Sequence, residues 1–321
     1  MRWSVKHRTA GPLGLLVLPL LAAGLLAGCG SGGSDVTVNG PFGKNPSVVI
    51  PSQQPSNQLQ VKTLVQGNGP KLGSNDLFAG NYAAYIWSGK SHRLAVSTFT
   101  QKQPAIFPPS SQLLKGLQKA LIGQKVGSRV LAVVPPSQGY GPSANPQGGV
   151  KATDTLVFVV DVLKSYTSKS SASGQPVSTG GGSLPTVSNA EGTAPSVTVP
   201  AKAPPGGLKV QPMIRGSGQK VSKGQTLVVQ YVGLTWANHK VFDSSWKRGQ
   251  PLAFQIGATP SQVIPGWDHG LIGQPVGSRV LLVIPPADGY GSKGNPQAGI
   301  KGTDTLVFVV DILGAYGPSQ G

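Results

Sequence analysis

The chain has 321 residues, enough for two ordinary domains with connecting segments, and its 46 Gly and 29 Pro point to loops, turns and tethers rather than long helices. Lys and Arg (27) far outnumber Asp and Glu (10), for a formal charge of +17, but they are scattered, with no dense basic run or basic-aromatic platform, so they read as a solvated surface and not as a nucleic-acid-binding face. The lone cysteine, Cys29, excludes an internal disulfide, the histidines His7, His92, His239 and His269 form no metal-ligand cluster, and no phosphate-loop or dinucleotide fingerprint is present.

At the N-terminus, Arg2, Lys6 and Arg8 precede an apolar run from Leu13 to Leu26, the pattern of a secretory leader. The run is short for a membrane span and is interrupted by Gly and Pro. It ends in Leu26-Ala27-Gly28-Cys29, which resembles a bacterial lipobox. That resemblance implies a leader over 1–28, diacylglycerol attached to Cys29, and a protein anchored through lipid to the outer face of the cell membrane. Residues 29–58 are rich in Gly, Ser, Pro and Asn without hydrophobic periodicity, and read as a flexible tether.

The rest of the chain is a repeat. LIGQKVGSRVLAVVPP begins at Leu121 and LIGQPVGSRVLLVIPP at Leu271; KATDTLVFVVDVL begins at Lys151 and KGTDTLVFVVDIL at Lys301; both pairs are 150 residues apart. Two copies of one domain follow, over 59–166 and 207–317. The segment between them, 167–206, is dominated by Ser, Gly, Thr, Pro and Ala and reads as a disordered linker with no core of its own.

In the second copy, Thr226 to Val232 has the β-branched and aromatic residues of a strand. A turn at Pro265-Gly266 leads into a short helix over Trp267 to Ile272. Val280 to Ile284 is an apolar strand stopped by Pro285-Pro286, and Thr305 to Leu313 is the longest strand. Several strands and one short helix predict an α+β fold, an antiparallel sheet curled around the helix.

The second copy resembles the FKBP-type peptidyl-prolyl isomerases over nearly its whole length. The marks, in order, are VVQYVG ending at Gly233, VFDSSW from Val241, VIPGWDHGL from Val263, VGSRVLLVIPP from Val276, GYG at 289–291 and TLVFVVDIL at the end. The resemblance implies a catalytic set of Tyr231, Phe242, Asp243, Trp267, Tyr290 and Phe308, with Phe254, Val263 and Ile264 also on matching motif positions. Arg248 and Ile300 lie in variable loops, and Leu252 stands where the family often carries an aromatic. It also implies proline-containing exported polypeptides as substrates, macrolide-type inhibitors, and no cofactor. Rotation about a prolyl amide breaks no covalent bond, so an apolar pocket that favours the twisted amide suffices. Trp267 suits its floor. Phe308, Val263 and Trp267 also suit a plain core, and Asp243 before Ser244-Ser245 suits a turn.

The first copy keeps Tyr82, Trp87, Tyr140 and Phe158 opposite Tyr231, Trp236, Tyr290 and Phe308. It has Ala95-Val96 for Phe242-Asp243, Leu117 for Trp267 and Lys115 for Pro265. A folded first repeat with weak or absent isomerase activity is expected. A non-catalytic peptide-binding or chaperone-like scaffold is the alternative for the chain. A charge-driven binder of envelope polymers is a third.

Overall fold

The last strand of the computed structural model, Leu306–Tyr316, carries an unbroken apolar run, Leu306–Val310, every residue of which is buried. A sheet with one wet face alternates apolar and polar residues; an unbroken run needs cover on both faces. The structure describes residues 36–101, 103–178, 182–188 and 191–317, and it supplies both covers.

The first repeat contains β1 (Thr37–Asn39), β2 (Ser47–Val49), β3 (Gln60–Val65), β4 (Leu77–Ser88), β5 (Ser91–Ser97), α1 (Thr98–Gln101), β6 (Ala105–Phe107), α2 (Lys115–Leu121), β7 (Arg129–Val134) and β8 (Thr155–Tyr166). Its main sheet is antiparallel in the order β3-β7-β8-β4-β5, with β6 pairing β4. Then come β9 (Gln175–Pro176), β10 (Thr186–Val187), β11 (Val197–Thr198) and β12 (Lys209–Arg215). The remainder is β13 (Thr226–Thr235), β14 (Val241–Ser244), α3 (Ser245–Arg248), β15 (Leu252–Gln255), α4 (Pro265–Leu271), β16 (Arg279–Ile284) and β17 (Leu306–Tyr316). The second sheet runs β14-β13-β17-β16-β12-β9, with β15 pairing β13. Each sheet curls over one seven-residue helix, α2 or α4, as expected; the one-turn helices α1 and α3 are additional.

The inner face of the second sheet packs on α4 through Leu227, Val229, Trp267, Leu271, Leu282, Phe308 and Val310. Its outer face carries Val232, Leu234, Trp236, Leu281, Val283, Val307 and Val309, and these are covered by Val187, Val197 and Val199. The last three belong to the segment that reads in sequence as a disordered linker. Within it β10 pairs with β11 and the valines dock on the sheet, with Trp236 Nε1 donating to Lys202 O (2.9 Å) and Val177 N to Met213 O (2.9 Å). The missing information was the partner: these three residues, with Leu184, cannot make a core alone, but they complete one that is already present.

The same correction applies to 36–58, read as part of a flexible tether. There β1 pairs with β2, and Val36, Val38, Val48 and Ile50 cover Trp87, Leu131, Val133, Val157 and Val159 on the outer face of the first sheet. Trp87 Nε1 donates to Gln53 O (3.1 Å), as Trp236 does to Lys202. Pro46-Ser-Val-Val-Ile-Pro51 and Pro195-Ser-Val-Thr-Val-Pro200 are the matching arm sequences. The repeating unit is therefore an arm plus a domain.

Each arm also seals a buried ion pair. Arg129 Nε and Asp161 Oδ1 are 2.6 Å apart, and Arg129 further donates to Gly40 O (2.8 Å) and Lys44 O (2.7 Å), while Gly43 N donates to Asp161 Oδ2 (2.7 Å). In the second repeat Arg279 pairs with Asp311 at 2.6 and 2.7 Å, Arg279 Nη1 donates to Ser188 O of the arm (3.4 Å), and Ala172 N, ahead of the arm, donates to Asp311 Oδ2 (2.8 Å). Desolvating two charges costs several kcal/mol per ion unless the remaining donors and acceptors are met, and the arms meet them.

The leader and Cys29 lie outside the described residues. No helix among the described residues is long and apolar enough to cross a membrane.

Candidate active site

Where α4 meets the sheet of the second repeat, a cavity of about 190 Å³ opens, lined by Tyr231, Phe242, Asp243, Leu252, Gln262, Val263, Ile264, Trp267, Tyr290 and Phe308. Trp267 enters from the first turn of α4, which Pro265 begins without needing a backbone donor. Tyr231 and Phe308 come from the inner faces of β13 and β17, Phe242 and Asp243 from β14, and Tyr290 from the loop after β16.

The rings form an edge-to-face cage. Trp267 meets Tyr231 at 5.1 Å between centroids (83° between planes) and Phe308 at 5.3 Å (87°), and Phe242 meets Phe308 at 5.5 Å (81°). Such geometry places positive ring edges against negative faces and holds each ring in one orientation. Trp267 is 4 % exposed, whereas Tyr290 at the rim is 37 % exposed, so the floor is dry and the mouth is wet. Trp267 Nε1 has no hydrogen-bond partner among the described residues.

The polar side of the cavity is a closed triangle. The Tyr231 hydroxyl donates to the Asp243 carboxylate, Arg248 pairs with the same carboxylate, and Arg248 Nη2 donates to the Tyr231 oxygen at 2.8 Å. The Arg248 guanidinium also lies 5.2 Å from the centre of the Tyr231 ring. Burial, reinforced by the Asp243 hydrogen bond, pushes the Tyr231 hydroxyl up to about 12, against a lowering contribution from Arg248. Asp243 is thus held by two partners rather than standing free as a base. Tyr231 N is fixed in turn by Ser245 Oγ (2.7 Å).

Of the residues expected from the family motifs, Tyr231, Phe242, Asp243, Leu252, Val263, Ile264, Trp267, Tyr290 and Phe308 line one cavity. Phe254 packs behind the indole (5.4 Å between ring centroids), and Arg248 reaches the site through Asp243 and Tyr231. Ile300 is 3 % exposed within the core cluster and is not in the cavity wall. Gln262 was missed. It lines the wall and its Oε1 accepts from Gln255 N (2.9 Å), but a lone Gln in a Thr-Pro-Ser loop carries no chemical signal.

The first repeat retains the backbone frame, with Tyr82 N donating to Thr98 Oγ1 (2.8 Å) as Tyr231 N does to Ser245. Its interior is filled differently. Phe107 stacks on Phe78 at 4.4 Å and meets Tyr82 edge-on at 5.4 Å, beside Leu117. Burial, with Tyr140 nearby, raises the Tyr82 hydroxyl.

The site is thus a dry aromatic cage with a wet mouth, on an antiparallel sheet packed against a short helix. The family model described as FKBP-type peptidyl-prolyl cis-trans isomerase matches residues 71–163 and 217–313. The chain belongs to this family of enzymes, and does so twice. An FK506-binding protein of Streptomyces anulatus is 42% identical over 119 residues, 37% of this chain and 94% of that protein. A probable FK506-binding protein of Corynebacterium glutamicum is 36% identical over 123 residues, 38% of this chain and 98% of that one. FK506-binding protein 2 of Aspergillus oryzae is 40% identical over 102 residues, 32% and 73% of the two chains. Both arms, 36–51 and 185–200, fall outside the matched residues.

Proposed function

We propose that the Trp267 cavity is where this protein interconverts cis and trans X–Pro bonds, and that its substrates are exported polypeptides at the cell surface. The observation that carries this reading is the aromatic cage itself: four rings close on one apolar cavity whose mouth opens beside Tyr290. The barrier to amide rotation, roughly 18–20 kcal/mol, comes from lost resonance. A planar amide has more charge separation than a twisted one, so a water-poor apolar wall disfavours the planar form relative to the twisted. The prolyl ring rests on Trp267. The Ile264 N–H, which bonds no other described residue, supplies a donor to a substrate carbonyl, and Tyr290 supplies a second from the rim. Asp243 holds Tyr231 and Arg248 in place and abstracts no proton.

The relatives named for FK506 binding support a macrolide that inserts one part of itself into the same cavity. Cys29, in its lipobox context, is the proposed site of the lipid anchor; Cys29→Ala should move the protein from the membrane to the soluble fraction. The site is tested with a proline peptide by exchange spectroscopy. Trp267→Leu should lower the rate at least about tenfold, and Asp243→Val should lower it less, both with unchanged circular dichroism. Wild-type turnover in a folded Trp267→Leu would sink the assignment. The first repeat, with Leu117 and Phe107 where the cage would be, is read as a supporting domain without appreciable turnover.

A further inference from the structure

A second cavity, a cleft of about 690 Å³, lies between the two repeats. One wall is β15 with Gln262 of the second repeat; the other is Ile106, Pro108, Pro109 and Gln112 of the first. Leu252 and Gln262 line both this cleft and the Trp267 cavity, so the two adjoin. The Trp267 cavity, at about 190 Å³, is smaller than the roughly 300–1,000 Å³ of sites that take a whole small ligand. It fits a prolyl ring and little more, and the rest of a substrate must lie elsewhere.

We propose that the cleft holds the extended segment of a polypeptide substrate next to the proline, so that the first repeat forms the far wall of the substrate track. This rests on the isomerase reading of the Trp267 cavity. Three features select an uncharged polypeptide over other occupants. Strands β15 and β6 each pair with one strand, β13 and β4 respectively, and so are sheet-edge strands that contribute to the cleft lining; on β15 the Gln255 N–H is already taken by Gln262 Oε1 (2.9 Å). An extended chain is what such edges bind. The side-chain amides of Gln112 and Gln250 bond no other described residue, and each offers a donor and an acceptor matched to peptide groups. Arg248 is the lone charged residue in the lining and is already paired with Asp243, which leaves nothing to hold a phosphate or a nucleotide. Proline, leucine and isoleucine side chains supply the apolar remainder.

Gln112 is exposed, so Gln112→Trp fills the cleft without entering the Trp267 cavity. The full chain is assayed on a proline tetrapeptide and on an unfolded protein whose refolding is limited by prolyl isomerisation. Gln112→Trp should leave the tetrapeptide rate intact and lower kcat/KM on the protein substrate roughly tenfold. In the wild type, a longer proline peptide should shift the amide resonances of Ile106 and Gln112, and the tetrapeptide should not. Equal loss on both substrates, no loss on either, or unmoved Ile106 and Gln112 resonances would overturn the proposal. Failure of the isomerase reading is distinct: the wild type would then turn over neither substrate.

Discussion

Gly233 controls whether the cage can close. A Cβ placed there would stand 2.6 Å from Phe308 Cε1 and 2.9 Å from Phe242 Cζ, closer than real contacts allow. The first repeat has Ala84 at the matching strand position, opposite Val96 where Gly233 faces Asp243; it keeps Phe158 in place of Phe308 but has Ala95 in place of Phe242. Loss of the glycine and loss of the aromatic go together. Gly233→Ala should therefore cost about 1–3 kcal/mol by overpacking and lower the isomerase rate more than a distant mutation of equal cost, as read by urea melts beside the peptide assay. At the same scale, Tyr231 sets a pH limit. Its hydroxyl keeps its proton up to about 12 in the folded protein, against 10.0 when unperturbed. Below pH 10 both states are protonated and the stabilisation is complete. Between about 10 and 12 only the unfolded chain ionises, so stability falls as pH rises. Denaturation midpoints across that window should drop less steeply in Tyr231→Phe, and activity should show no limb from Tyr231 below pH 10.

At the scale of elements, the arms matter more than their composition suggests. Ile50 is 4 % exposed and Val199 6 % exposed, each on the outer face of a sheet whose strands are apolar on both sides. Ile50→Ala should destabilise the first repeat by about 2–5 kcal/mol, the range for removing a buried aliphatic side chain, measurable by denaturant unfolding. A fragment cut at residue 207 loses the covers of Trp236, Val283 and Val309 and the Ala172 bond to Asp311, so it should melt below one that begins at 167.

At the scale of the whole molecule, the two repeats are docked. Leu77, Ala79 and Tyr166 of the first pack with Val228 and Leu313 of the second. Tyr166 and Tyr316, matching residues of the two copies, share a hydrogen bond between their hydroxyls, and Lys164 Nζ donates to Leu313 O (3.3 Å). The second copy has Gly314 where the first has Lys164, and a Cβ at Gly314 would overlap the Tyr166 hydroxyl. Gly314→Val should separate the repeats, seen as a larger radius of gyration in solution scattering, while leaving tetrapeptide turnover in the second repeat largely intact.

The duplication, the antiparallel sheet over a short helix and most of the cage were legible in the amino-acid order, because motif spacing and β-rich apolar runs are local properties of a chain. Which apolar residues meet was not local. The valines of 36–50 and 187–199 look like linker until the outer face of a sheet stands beside them, and Gln262 looks like any loop residue until the fold brings it to the cavity wall. Ile300 went the other way, from expected wall to core. The cleft between the repeats depends on how Tyr166 meets Gly314, a contact between residues far apart in the chain that only the tertiary structure could decide.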